Sequence, residues 1–217
     1  MTPKQNYQKI LDSELEKIKQ SGNTPTLLLH SCCAPCSSYV LEYLTEYFNI
    51  ILYYYNPNIS PESEYKYRLS ELERLISEMP LKNRVEITPA EYNPDIFCKL
   101  AEGLEDLPER GLRCQKCIFQ RLKQTAQKAL EISADYFTTT LTISPYKDSE
   151  YINKAGEKLQ SLYGIKYLFS DFKKRNGYKR SIELSSEYNL YRQNFCGCIY
   201  SKRNSEIIKI PPTETGI

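Results

Sequence analysis

Eight cysteines stand in the 217-residue chain, and all but one are grouped: Cys32, Cys33 and Cys36, then Cys114 and Cys117, then Cys196 and Cys198, with Cys98 alone. A thiolate is a nucleophile, a soft metal ligand and half of a redox couple, so grouped cysteines point to metal or redox chemistry. The Cys-x-x-Cys pair at 114 and 117 is open by itself: it can ligate one metal, form a redox disulfide, or do nothing. Adjacent Cys32 and Cys33 raise the count to four thiolates, which suits structural zinc or a four-iron, four-sulfur cluster. Zinc sites usually pair two Cys-x-x-Cys knuckles, and neighbouring side chains diverge. A cubane cluster can take adjacent cysteines on different irons, so the donor set reads as iron–sulfur ahead of zinc. Cys36 is open between packing and reaching a second metal. Cys98, in Ile-Phe-Cys-Lys-Leu, reads as an inert core cysteine.

Cys196-Gly197-Cys198 encloses a single glycine. Oxidised, the pair would close a strained, easily reduced ring suited to electron relay rather than stapling; the alternative is two unpaired thiols. His30, the one histidine, ends an apolar run. It either bonds backbone there or acts behind a ligand or as a proton donor. Tyr146 and Asp148 are further proton-donor candidates, beside the plainer reading of a solvated loop. Residues 171–180 carry five cations, Lys173, Lys174, Arg175, Lys179 and Arg180, interleaved with Phe172 and Tyr178. That mixture suits phosphate contact and stacking on unpaired bases, or forms a solvated face. Arg192 and Lys202 flank the Cys-Gly-Cys and extend the patch.

The elements that must position these groups alternate. Apolar or β-branched runs predict strands over 26–31, 49–58, 84–92, 134–144 and 165–172. Helical spacing predicts helices over 4–20, 37–48, 60–80, 114–132, 150–164 and 183–195. Residues 94–112 read as irregular. Alternation of this kind predicts an α/β fold, a three-layer Rossmann-like domain with a mainly parallel sheet of about five strands. Open parallel sheets bind ligands beyond the carboxyl ends of their strands, so Cys32, Cys33 and the Pro145 turn are expected at one edge. One domain spans 1–217: an N-terminal helix and linker (1–25), a catalytic core (26–203), and a tail (204–217) whose last residues read as frayed.

Hydrophobic residues are 41% and charged residues 26% of the chain, enough for a packed core and against general disorder. With 29 Lys and Arg against 27 Asp and Glu, the net charge of +2 announces no global attraction to nucleic acid; such a site must be local. The polar N-terminus lacks the apolar run of a signal peptide, and no stretch reaches membrane-helix length. The cytoplasm is the expected compartment, where structural disulfides are rare.

Five strings then carry a resemblance: HSCCAPCSSYVLEYL, YYYNPNISPESEYKYRLSELERL, RCQKC, DYFTTTLTISPYKD and SDFKKRNGYKRSIELSSEYNLYRQNFCGCIYS. In order, over residues 26–203, they resemble the cobalamin-independent epoxyqueuosine reductases, the QueH family. The resemblance implies reduction of the epoxide of epoxyqueuosine to the cyclopentene of queuosine in the tRNA wobble position, the last step of queuosine biosynthesis. It implies a 4Fe-4S cluster on Cys32, Cys33, Cys114 and Cys117, an additional mononuclear iron for which Cys36 is the candidate ligand, and a redox disulfide between Cys196 and Cys198. Two electrons and two protons are needed, hence an external electron donor, and tRNA is the expected partner of the basic run. Arg110 and Leu112 depart from a loop that is often Gly-Gly, and Tyr146 stands where His is common. A tRNA-thiolation enzyme would need a Ser-Gly-Gly-x-Asp-Ser loop where this chain has HSCCAPC. A non-enzymatic zinc-binding RNA module is the other rival.

Overall fold

A computed structural model describes residues 5–207, with side chains through residue 203. Its chain order is α1 (Tyr7–Ser21), β1 (Thr26–His30), α2 (Ala34–Leu44), β2 (Asn49–Tyr54), α3 (Glu62–Glu78), β3 (Val85–Pro89), α4 (Asp95–Ala101) and α5 (Leu112–Glu131). Then follow β4 (Tyr136–Thr139), a 3-10 turn (Thr140–Ile143), α6 (Ser149–Tyr163), β5 (Lys166–Tyr167), α7 (Gly177–Glu187) and α8 (Ile199–Ile207). The sheet has the order β3-β2-β1-β4-β5, and every neighbouring pair is parallel.

The three layers follow from the two-residue period of a strand. In β1, Leu27 and Leu29 face a core with Leu11, Leu15 and Ile18 of α1, Val40 and Leu41 of α2, and Leu72 of α3. Leu28 faces the opposite core, with Ile118 and Leu122 of α5 and Ile152 and Leu159 of α6. All three leucines are wholly buried, each contributing about 2 kcal/mol of apolar transfer. The expected Rossmann-like α/β sandwich is therefore the fold.

Several boundaries differ from the sequence reading. The helix after β1 starts at Ala34 rather than Ser37, with Pro35 in its first turn, so Cys36 lies on it. The expected irregular stretch contains α4, whose Phe97 and Ala101 pack with Cys117 and Cys198. The fourth strand stops at Thr139 because that side chain accepts from the Leu141 N–H and caps a 3-10 turn. The fifth strand is two residues long: past Tyr167 the Thr138 hydroxyl donates to the Leu168 carbonyl, and Ser170 is held by Asn153 and Thr142. The helix expected over 183–195 runs over Gly177–Glu187, taking in the end of the basic run. Among the described residues no helix is long and apolar enough to cross a membrane. The frayed end expected at 210–217 lies outside the described residues.

Candidate active site

The strand order reverses between β1 and β4, and that switch point lies beyond the carboxyl ends of the strands. The turn after β1 places Cys32 and Cys33 there, Cys33 standing at the N-cap of α2. Across the crevice, Thr140 after β4 comes within 3.8 Å of Cys32 Sγ. The sulfurs of Cys32, Cys33 and Cys36 all lie within 4.8 Å of one another, close enough for one metal ion. Hydrogen bonds from Cys32 and Cys36 hold the Cys33 thiol well below its ordinary value, with Arg68 adding to the effect, while the same contacts push Cys36 up. In this trio Cys33 is the first to ionise.

Two adjoining cavities gather Cys114, Cys117, Cys196 and Cys198. A small one, about 20 Å³, is walled by Cys114, Cys117, Cys196 and Cys198. A large one, about 660 Å³, is walled by Cys32, Cys36 and Cys196 together with Pro145, Tyr178, Arg192 and Phe195. Glu109, Arg121, Lys147, Cys196 and Ser201 line both. The small volume holds about one water, and the large one is of ordinary ligand size. Burial pushes the Cys117 thiol up to about 11 against the lowering effect of Arg121. All eight cysteines are free thiols; the expected Cys196–Cys198 disulfide is not formed.

The walls carry buried cations. Arg68, 1% exposed, donates Nε–H to Glu64 and Nη1–H to the Cys196 carbonyl, and lies over the Phe195 ring. Arg121, 2% exposed, reaches Asn56, which in turn donates to the Ser31 carbonyl and so ties α5 to the β1 turn. Among the described residues, six buried side-chain polar atoms lack a partner, and those of Asn58, Arg68, Arg113, Arg121 and Gln193 belong to residues lining these cavities. A buried guanidinium N–H without an acceptor is costly, so its concentration here marks where an anionic or sulfur-rich group belongs.

Other predicted residues have plainer roles. His30 is wholly buried; its Nε2–H donates to the Tyr55 carbonyl, and its Nδ1 accepts from the Thr139 hydroxyl. Burial and then Arg121 push its pKa down to about 3. It is a neutral strand-end anchor, which argues against proton donation. Asp148 caps α6 by accepting from the N–H groups of Glu150 and Tyr151. Tyr146 is 66% exposed on the cleft rim. Cys98 is exposed on α4, which corrects its reading as a core cysteine: the apolar face of that short helix is formed by Phe97 and Ala101. Arg110 takes a φ of 68°, a conformation that favours glycine, and its guanidinium bonds the Pro145 and Tyr146 carbonyls there.

The basic run is partly neutralised. Lys173 pairs with Asp171, Arg175 with Asp12 and Arg180 with Glu42, while Lys179 stands 3.9 Å from Glu183. Lys174 is exposed, and Tyr178 faces the large cavity. Arg192 is on the cavity wall with its Nη1–H on Ser185; Lys202 is exposed on α8. Sequence reasoning passed over Arg68, Arg121 and Lys147, the cations nearest the sulfurs, because nothing local distinguishes them from helix or loop surface residues.

The fold and the site together define a Rossmann-like α/β protein whose switch-point crevice is equipped for thiol or thiol-bound metal chemistry. A family model described as epoxyqueuosine reductase QueH matches residues 27–204. The chain is 44% identical over 207 residues to an epoxyqueuosine reductase QueH of Streptococcus pyogenes serotype M1, covering 94% of this chain and 81% of the relative. It is 46% identical over 200 residues to that of Staphylococcus epidermidis, covering 90% and 84%, and 35% identical over 182 residues to that of Thermotoga maritima, covering 81% and 90%. The chain belongs to the QueH family of epoxyqueuosine reductases and is an oxidoreductase.

Proposed function

We propose that this chain reduces the epoxide of epoxyqueuosine at the tRNA wobble position to the cyclopentene of queuosine. One observation carries the reading. Cysteines from three distant parts of the chain line two cavities that share Arg121, Lys147 and Cys196, and most of the unpartnered buried polar atoms belong to residues of the same walls.

The thiol chemistry of these walls supports a cluster on Cys32, Cys33, Cys114 and Cys117, the assignment implied by the family resemblance, with Cys33 next to cavity-lining Cys32. Bound there, a four-iron, four-sulfur cluster would supply electrons singly, and an additional iron with Cys36 as a ligand would supply a Lewis acid for the departing oxygen. The chain's own groups do the rest. Arg68 and Arg121 offset the negative charge of thiolates in a low-dielectric site. Cys196 and Cys198 store two electrons as a dithiol, and an external donor restores them. The large cavity has room for an extruded nucleoside, with Tyr178 and Phe195 offering ring faces. The basic run beside Tyr178 carries tRNA phosphates. Exposed ion pairs such as Arg175–Asp12 are worth only about 0–1 kcal/mol, so a phosphate can replace the carboxylate.

The test is anaerobic loading with iron and sulfide, EPR spectroscopy, and an assay on tRNA containing epoxyqueuosine. A reducible cluster signal with conversion to queuosine is expected. Colourless protein holding one zinc and leaving the tRNA unchanged would favour the RNA-binding module instead.

A further inference from the structure

Neither proton-donor candidate flanking Lys147 reaches the sulfurs in the geometry above, but Lys147 itself does. Its ammonium lies 3.1 Å from Cys196 Sγ, and its side chain lines both cavities. Among the described residues it forms no salt bridge, so the Cys196 sulfur is its partner. We propose that Lys147 is the positioning residue that makes Cys196, and not Cys198, the reactive sulfur of the Cys-Gly-Cys pair. The proposal rests on the redox reading of that pair.

The two sulfurs are two residues apart and live in different surroundings. Cys198 is buried against Phe97 and Cys117, and among the described residues its sulfur exchanges hydrogen bonds only with Ser201: the thiol donates to Oγ at 3.5 Å and the sulfur accepts from N–H at 3.4 Å. Its thiol has an acceptor in the Ser201 hydroxyl, and among the described residues no cation bonds its sulfur. Cys196 opens into the large cavity. Its neighbours are drawn from every wall: Lys147 from the turn before α6, Arg121 and Cys117 from α5, Cys32 from the β1 turn, and Cys198. Arg68 of α3 holds its carbonyl, and Glu109 lines the same cavities. Burial raises the Cys196 thiol, but Lys147 and then Arg121 outweigh it, and the net direction is down. In return, Cys196 raises the ammonium of Lys147, which stays charged as a fixed cation rather than an acid.

The backbone keeps the sulfur in place. Gly197 adopts a φ of 119°, and a Cβ there would come within 2.9 Å of Ile59 Cγ1. The Gly197 carbonyl accepts from the Ser60 N–H at 3.0 Å. Starting from this charge state, the reaction balances. The Cys196 thiolate and the Cys198 thiol form the S–S bond, two C–O bonds of the epoxide break and the C=C bond forms. Two electrons pass from sulfur to carbon, and the oxygen leaves as water with one proton from Cys198 and one from solvent.

The experiment measures the pH dependence of iodoacetamide alkylation at Cys196 and Cys198, resolved by peptide mass spectrometry, in iron-loaded protein held anaerobically. The parent should react at Cys196 first, already at pH 7. Lys147→Met should slow Cys196 at pH 7 about tenfold or more and move its profile up by about a unit, leaving iron content unchanged, since one pKa unit is a tenfold change in thiolate near neutrality. Lys147→Arg should restore most of the difference. An unmoved Cys196 profile in Lys147→Met, or loss of its iron, overturns the proposal. Failure of the redox reading is separable: single-turnover yield equal to the parent in Cys198→Ala would remove the electron store, whatever the Lys147 profile shows.

Discussion

The sulfurs of Cys32, Cys33 and Cys36 lie within 4.8 Å of one another, so they cannot all become thiolates unless a metal takes the place of their protons. Cys32→Ser, Cys33→Ser, Cys114→Ser and Cys117→Ser are each expected to lose the brown chromophore and the activity, whereas exposed Cys98→Ala keeps both. Iron and sulfide analysis checks this, and full content in any two of the four serine variants would refute the ligand set. Cys198→Ala belongs to the same scale. It should assemble the cluster with parent-like iron content yet give a much lower single-turnover yield when pre-reduced and left without reductant. Among the described residues its sulfur hydrogen-bonds only Ser201, and parent-like iron content would show that the packing against α4 survives the loss of one buried sulfur, so a drop in yield then reports electrons rather than folding.

Two helices bring the site together by joining segments far apart in sequence. Arg113, 1% exposed in the first turn of α5, donates to the carbonyls of Leu104, Glu105 and Leu107, and its guanidinium lies 4.4 Å from the Tyr200 ring centre. The loop before Cys114 is thus tied to the helix that carries Cys114 and to α8. On the other wall, α7 begins at Gly177, where no side chain fits: a Cβ would overlap the Phe172 carbonyl and the Tyr39 ring of α2. Gly177→Ala is expected to destabilise by about 1–3 kcal/mol through overpacking. For a domain of this size that lowers Tm by about 2–4 °C per kcal/mol. Thermal unfolding followed by circular dichroism measures it, and an unchanged Tm would show that α7 shifts freely against α2.

Over the whole molecule, charge is arranged rather than abundant. The net charge is +2, and three of the five cations of the basic run close ion pairs at 2.6 Å, to Asp171, Asp12 and Glu42. Charge reversal at Lys173, Lys174 and Arg175 is expected to weaken tRNA binding while leaving the cluster spectrum intact. For every phosphate that the variant no longer neutralises, the salt dependence should flatten by about 0.7–0.9 log units. Exposed Lys174 should give close to that full amount by itself, and Arg175 less, because Asp12 already neutralises it. Binding isotherms across a salt series decide the matter: a slope that does not move would mean the run is only a solvated face.

The sequence by itself determined the layering and the grouping of the cysteines. Strand and helix periodicity is local, so the α/β alternation could be read directly, and thiol chemistry is intrinsic to Cys32, Cys33, Cys114, Cys117, Cys196 and Cys198 wherever they fold. Only the tertiary structure decided the environment of those sulfurs. α4 is seven residues long and too short to signal itself; it is held by Cys117 and Cys198 of other segments. Asp12 and Glu42 neutralise Arg175 and Arg180 across separations of 163 and 138 residues. Lys147 meets Cys196 across 49 residues, and Arg68 meets the same residue across 128. A side chain's type is a property of one position. Its burial, its partner and its charge state are properties of segments brought together by the core, and these decide which sulfur reacts.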